Sequence, residues 1–204
     1  MIDYDGNNKK KLEAYGGVMN EVLVALHNRR SIRTYQDRKL TKAELETIVT
    51  AGTWAPSGHN QQPWHFSVVQ DRALLAQLNS TAKAAMKQID VDWIKRLGED
   101  PEADITHGAP AIIIVSCRAD AVSGPTDCTA AMQNMMIAAQ SMGLGSCWMG
   151  LVAFTYQDEA LMRTLGVPEG YRAQQAAVFG VPDEDTDAHM PPRKPDVASY
   201  IGIF

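Results

Sequence analysis

Trp54-Ala-Pro-Ser-Gly-His-Asn-Gln-Gln-Pro-Trp-His-Phe66 decides how this chain is read. The stretch sets two prolines, a Ser-Gly pair, Asn60, two glutamines, two histidines and two tryptophans between a helical pattern and a strand pattern. Proline and Ser-Gly punctuate turns in any protein. A plain connector does not need the rest. A surface loop rich in hydrogen-bonding side chains, carried on a rigid scaffold, is a usual place for a site. Two further segments carry similar content: Arg29-Arg-Ser-Ile-Arg33 upstream and Gly143-Leu-Gly-Ser-Cys-Trp-Met-Gly150 downstream.

Working outward, Val18 to His27 has apolar residues at Val18, Met19, Val22, Leu23 and Leu26, which is helical spacing. That helix runs out near Asn28, and residues 1–17 before it read as a polar arm. Thr41 and Glu44 have the spacing of a capping box. Leu45, Ile48 and Val49 supply the buried stripe of the helix it opens, and Gly52 and Pro56 read as its end. Trp64 to Val69 alternates as a strand. Arg72 to Ile89 is a helix with Leu74, Leu75, Leu78, Ala82 and Met86 on one face. Trp93, Ile94 and Leu97 suit a short helix that Pro101 breaks, and residues 91–108 as a whole read as a candidate cover over a site.

Ala111 to Ser116 is a short apolar run, expected as a strand covered on both faces. Asp127 to Met142 is apolar nearly all round, so that helix is expected at the centre, with Asp127 at its positive end. Gly143-Leu-Gly145 stops it, and Ser146 to Met149 is extended. Gln157 to Leu165 reads as a short helix and Arg172 to Val181 as a strand. The tail carries Asp183, Glu184, Asp185 and Asp187, then Pro191-Pro-Arg-Lys-Pro195, then an apolar end from Tyr200 to Phe204. Such an end suits cover by a partner subunit. The order of elements predicts an α+β or α/β sandwich.

The 204 residues, 45% of them apolar, suffice for one domain over residues 18–204. A net charge of −5 speaks against a nucleic-acid partner. Three cysteines are too few and too odd in number for a disulfide framework and suit a reduced cytoplasm. The first twenty residues hold no apolar run of a secretory signal, and no stretch approaches the ~20 apolar residues of a membrane helix. Neither a Gly-x-Gly-x-x-Gly turn after a strand nor a phosphate loop of the Gly-x4-Gly-Lys type is present.

Arg29, Arg30 and Arg33 follow a helix C-terminus. Cations there offset the helix dipole, a contribution of about 0.3–1 kcal/mol. The same forks also match a phosphate, with Ser31 donating a further bond. Arg193 and Lys194 read either as a solvated pair or as the far wall of that anion site. Ser57, Asn60, Gln61 and Gln62 suit the edge of a flat heterocycle. His59 and His65 lack the neighbours of a metal site. Cys147 has no His-Asn or His-Asp partner set and reads as a buried structural residue. Met132, Met135, Met136 and Met142 fall at helical spacing and read as core.

Taken together, these three segments, with Ala131-Met-Gln-Asn134 and Ala138-Ala139, resemble the nitroreductase family of FMN-dependent oxidoreductases from about Val22 to Val181. The resemblance implies an α+β fold, an α/β/α sandwich around a central mixed sheet. It also implies an intertwined homodimer with two FMN sites at the interface, the tail from about residue 183 embracing the partner. Arg29 and Ser31 then match positions that hold the FMN phosphate. Arg30 matches a flavin contact, and Arg33 the cation near the pyrimidine edge. Pro56, Ser57, Gly58 and Asn60 match a loop supplied by the other subunit. Trp148, Met149 and Gly150 match the segment crossing the ring, with a backbone N–H near flavin N5. Arg193 and Lys194 resemble a C-terminal basic pair that reaches the phosphate.

One family feature has no secure counterpart, a further Lys or Asn near the ring from the middle of the chain, between Asp90 and His107. The activity this resemblance implies is ping-pong hydride transfer from NADH or NADPH through flavin N5 to a nitroaromatic, a quinone or a similar electron-poor acceptor. Relatives with the same pattern instead reduce enones, dehalogenate aromatics or consume flavin, and a flavin-binding protein without NAD(P)H turnover is a further alternative.

Overall fold

Asn20 accepts the Leu23 amide and opens α1 (Glu21–Asn28). The expected start at Val18 lies outside the residues that this computed structural model describes, which are 20–186 and 190–202. The expected arm over 1–17, Asp187 and Phe204 lie outside them too. Thr41 and Glu44 close the predicted box in both directions, each side chain accepting the other's amide, and start α2 (Lys42–Thr53). Asp71 caps α3 (Arg72–Met86), which stops three residues short of Ile89. The short helix with Trp93, Ile94 and Leu97 is α4 (Asp92–Glu99). The central helix α5 (Gly124–Ser141) starts three residues before Asp127, with Pro125 in its first turn where a missing N–H costs nothing. Asp158 caps α6 (Glu159–Thr164).

The strands are β1 (Trp64–Val69), β2 (Ala111–Arg118), β3 (Gly145–Trp148) and β4 (Tyr171–Gly180). They form one sheet in the order β1-β2-β4-β3. Every pairing between them is antiparallel. The α+β sandwich is as expected. Its expected mixed character is confined, among the described residues, to a single parallel bridge of Ser31 with Ser146 at the β3 edge.

Side chains alternate across a strand, and both faces of this sheet are covered. Ile112, Ile114 and Val178 face a core with Leu78 and Met86 of α3 and Leu161 of α6. Ile113, Val115, Ala177 and Phe179 face the other core, with Ile48 of α2 and Met132 and Met135 of α5. Two-sided burial is why β2 reads as a continuous apolar run, and each such side chain contributes about 1.5–3 kcal/mol. As expected, α2 ends between Gly52 and Pro56, at Thr53, and Gly52 in its last turn also admits a neighbour, since a Cβ there would stand 2.9 Å from Met135 Cγ. It is the point where α2 presses against α5. Among the described residues no helix is long and apolar enough to cross a membrane.

Candidate functional site

The first and third segments come together because α1 ends beside the sheet edge. Past Arg29 the chain runs along β3, and the Ile32 amide donates to Ser146 O at 3.0 Å. Gly145 permits this approach, since a Cβ there would stand 2.9 Å from Ile32 Cβ. Tyr35 Oη donates to Ile32 O at 2.6 Å and holds the strip from the other side. Arg29 to Arg33 and Gly145 to Gly150 therefore share one surface.

That surface is cationic. Arg29 Nη1 is buried with no hydrogen-bond partner. Burial, and after it the nearby Arg193, push the Arg29 guanidinium below its usual range. The same two causes, then Arg29 itself, lower Arg30. Arg30 spends its guanidinium on its own helix end, donating to His27 O at 2.6 Å and Arg29 O at 2.7 Å. It thus serves the helix C-terminus, as a cation there ordinarily does. Arg193 reaches this group electrostatically from the tail, with Lys194 exposed beside it.

Ser31 and Arg33 are exposed. Both act on the thiol of Cys147 beneath them: burial pushes that thiol up, while Arg33, a hydrogen bond with Ser31, and Arg29 oppose the shift. Cys147 is buried on β3, in keeping with a structural role.

Sequence reasoning missed His107. Burial first, and Arg33 second, push its imidazole below the usual histidine range. Its backbone is left-handed at φ 57°. The turn is pinned by Asp104, whose carboxylate accepts the Thr106 and Gly108 amides and the Thr106 hydroxyl. No spacing signal marks His107, because its neighbour Arg33 is far away in sequence.

At the other end of β3, Trp148 Nε1 donates to Gln175 Oε1 at 3.1 Å, and Gln175 Nε2 donates to Thr129 Oγ1 at 3.0 Å. The Met149 amide donates to Ala176 O at 2.8 Å. Met149 is buried, whereas Gly150 is exposed and a Cβ there would meet only open space. An unforeseen 3-10 turn, Gly150–Thr155, follows.

The second segment lies elsewhere. Pro56 and Ser57 lead into a short 3-10 turn, Gly58–Asn60. His59, Asn60 and Gln62 are all left-handed, at φ 52°, 52° and 45°. Ser57 Oγ accepts the Gln62 amide at 3.0 Å, and Gln62 Nε2 donates to Asn60 Oδ1 at 3.1 Å. Gln61 Oε1 accepts the Val122 amide at 3.3 Å. Gln61 is thus engaged by the Val122 amide, while the exposed Gln62 bonds within its own loop. The loop feeds β1 at Trp64, which pairs with Cys117, whereas Ser146 pairs with Phe179 and so with Ala111. These are opposite corners of the sheet, separated by about 20 Å along the strands and about 14 Å across them. Within one chain the loop does not meet the arginines.

Two grooves flank the strip. One of about 270 Å³ is lined by Arg30, Ile32, Gly145 and Asp183. A larger one of about 470 Å³, between Tyr35, Asn79, Pro101 and Asp104, lies off all three segments. Among the described residues no group of three or more His, Cys, Asp or Glu side chains could hold a metal ion.

The chain matches the model of the Nitroreductase family over residues 26–181. It is 31% identical, over 174 residues, to a protein of Archaeoglobus fulgidus provisionally named NADH dehydrogenase/NAD(P)H nitroreductase, covering 83% of this chain and 90% of that protein. The crystal structure of a nitroreductase with bound FMN from Bacteroides fragilis matches with a TM-score of 0.84 at 30% identity, over 90% of this chain and 100% of that one. A nitroreductase with bound FMN from Desulfitobacterium hafniense matches with a TM-score of 0.79 at 25% identity, over 90% and 100%.

Proposed function

The chain belongs to the nitroreductase family, and we propose that, as an FMN-dependent NAD(P)H oxidoreductase, it reduces nitroaromatics, quinones or similar electron-poor planar acceptors in a ping-pong cycle. The observation that carries this reading is Arg29. A buried guanidinium nitrogen with no partner, close to a second arginine, is costly by itself. A phosphate group offsets both costs, so the residues present fit the anionic end of FMN. Ser31 adds a hydroxyl donor, and Arg193 and Lys194 close the anion from the tail.

When bound, FMN would supply the hydride chemistry between NADH or NADPH and the acceptor. The protein's own groups bind and tune. Arg33 would give a positive charge toward the pyrimidine edge, in the manner of other preorganised electrostatic sites. Trp148 and Met149, held by Gln175 and Ala176, present the Gly150 backbone to the open space that a flat ring needs. Arg30 fixes the end of α1 and so the direction of its neighbours.

The separation of loop and arginines supports a two-copy site. Pro56, Ser57, Gly58 and Asn60 of one copy serve the FMN of the other, and a two-fold pair then has two sites. The tail supports the same arrangement, since Val197 and Ile201 are 80% and 90% exposed. The free thiols of Cys117, Cys128 and Cys147 suit a reducing compartment such as the cytoplasm.

The test is an anaerobic absorbance titration of the FMN-loaded protein with NADH and with NADPH. Oxidised flavin bands that bleach and then return on adding a quinone or nitroaromatic bear the proposal out. A yellow protein that neither donor bleaches points to the flavin-consuming or carrier alternatives. A chain that takes up no FMN overturns the reading.

A further inference from the structure

Asp127 is a buried acid that the activity above leaves unused. It sits in the first turn of α5 at 4% exposure. Its Oδ1 accepts the Gly58 amide at 3.1 Å, and its Oδ2 is buried with no partner. A buried carboxylate with one bond is a poor way to add stability. Its value lies in what that bond holds.

It holds a strained loop. Three non-glycine residues within four positions, His59, Asn60 and Gln62, are left-handed. Such conformations persist only where the surroundings over-determine them. The bonds of Ser57, Asn60 and Gln62 are internal to the loop and cannot fix it against the scaffold. The contacts that do so come from the segment leading into α5 and from its first turn. Val122 donates to Gln61, Ser123 Oγ stands 2.7 Å from where a Gly58 Cβ would be, and Asp127 takes the Gly58 amide. Of these, only the Asp127 bond has a carboxylate acceptor, and such bonds are roughly twice as strong as neutral ones. It also grips backbone at Gly58, where a Cβ would crowd the Ser123 hydroxyl at 2.7 Å.

We propose that Asp127 is the positioning residue of the flavin loop: by clamping the Gly58 amide it holds Pro56 to Asn60 in the conformation that receives FMN. The proposal rests on the reading that this loop contacts FMN. Asp127 itself touches neither cofactor nor substrate. Without the clamp the loop relaxes, and FMN binds only the fraction that remains competent, so its affinity falls by that fraction. Arg33 stands at the other corner of the sheet and Gly150 beyond the end of β3, the strand farthest from β1, so flavin reduction at saturating FMN is retained. A carboxylate with only a structural role behaves differently. Its loss lowers the melting temperature of the apoprotein and leaves the FMN affinity of the folded chain unchanged.

The experiment uses the full chain stripped of flavin. FMN is titrated in and followed by flavin fluorescence quenching, and thermal unfolding of each apoprotein is measured alongside. Asp127→Ala is expected to raise the FMN dissociation constant at least tenfold, which corresponds to about 1.4 kcal/mol, while the folded apoprotein persists. Asp127→Asn keeps an acceptor oxygen for Gly58 and loses the charge, so it is expected between wild type and Asp127→Ala. It also decides the matter if Asp127→Ala does not fold. Unchanged FMN affinity in the folded variants, with wild type binding normally, overturns the clamp and leaves the flavin reading standing. A wild-type chain that binds no FMN overturns both.

Discussion

The Ser146 carbonyl accepts the Ile32 amide at 3.0 Å, and this bond lays the arginine strip along the edge of β3. The contact depends on a missing side chain. A Cβ at Gly145 would stand 2.9 Å from Ile32 Cβ and 3.0 Å from both Ile32 Cγ atoms. Gly145→Ala is expected to cost about 1–3 kcal/mol by overpacking. It should also weaken FMN binding, because the strip is pushed off the sheet. Denaturant unfolding and an FMN titration check the two effects. An unchanged midpoint would mean that Ile32 moves aside freely.

Arg29 and Arg193 repel one another across the same surface. Arg193→Ala should leave the apoprotein no less stable, yet lose a charge-assisted contact worth about 1.5–3 kcal/mol, or roughly 10–100-fold in FMN affinity. Inorganic phosphate should raise the melting temperature of wild-type apoprotein more than that of Arg29→Ala. Equal shifts in a thermal melt would remove the anion site from this strip.

Glu44 gives a pH signature remote from the site. Its hydrogen bond with Arg38, helped by Thr41, holds its carboxyl down at about 2, against an ordinary value of 4.5. A folded-state value below the unfolded one means that stability is present above pH 4.5 and drains away as pH falls toward 2. Glu44→Gln should flatten that part of the stability curve. Near neutral pH it should cost about 1 kcal/mol of helix capping, seen as a melting point lower by about 2–4 °C. Parallel acid limbs for the two proteins would contradict the assignment.

Cys117, Cys128 and Cys147 are all buried, and burial is the main cause raising each thiol above its ordinary value. Reactivity follows the thiolate, which becomes scarcer as burial makes the thiol a weaker acid. In the native protein near neutral pH, the three thiols should therefore react with a disulfide reagent at least about tenfold more slowly than free cysteine. In denaturant all three should react. Fast labelling of the folded chain would expose an opening that this packing does not contain.

Local chemistry explains what the sequence makes legible. Thr41 and Glu44 specify their own box within four residues, and the apolar run from Ala111 specifies a covered strand, so both can be read directly. Gly52 reads as a stop, in keeping with the end of α2 at Thr53, but a glycine looks the same in sequence whether it only ends a helix or also admits a neighbour. Only Met135, far along the chain, tells the two apart. The same holds for His107 beside Arg33, and for Gln61, whose side chain binds Val122. The arginine segment and the Gly143 segment are visible as separate signals. Their junction at Ser146 is not, since it is a backbone contact that no side chain announces.

The two opposite corners of the sheet have a genetic meaning. In the proposed two-copy site, a lesion in the Arg29 corner and a lesion in the Gly58 corner would damage different halves. Each mutant assembled with itself is defective at both of its sites. Assembled with the other, it leaves one site with both faults and one with none. Two inactive alleles of this gene expressed together should therefore restore part of the lost activity, whereas two alleles altered in the same corner should not.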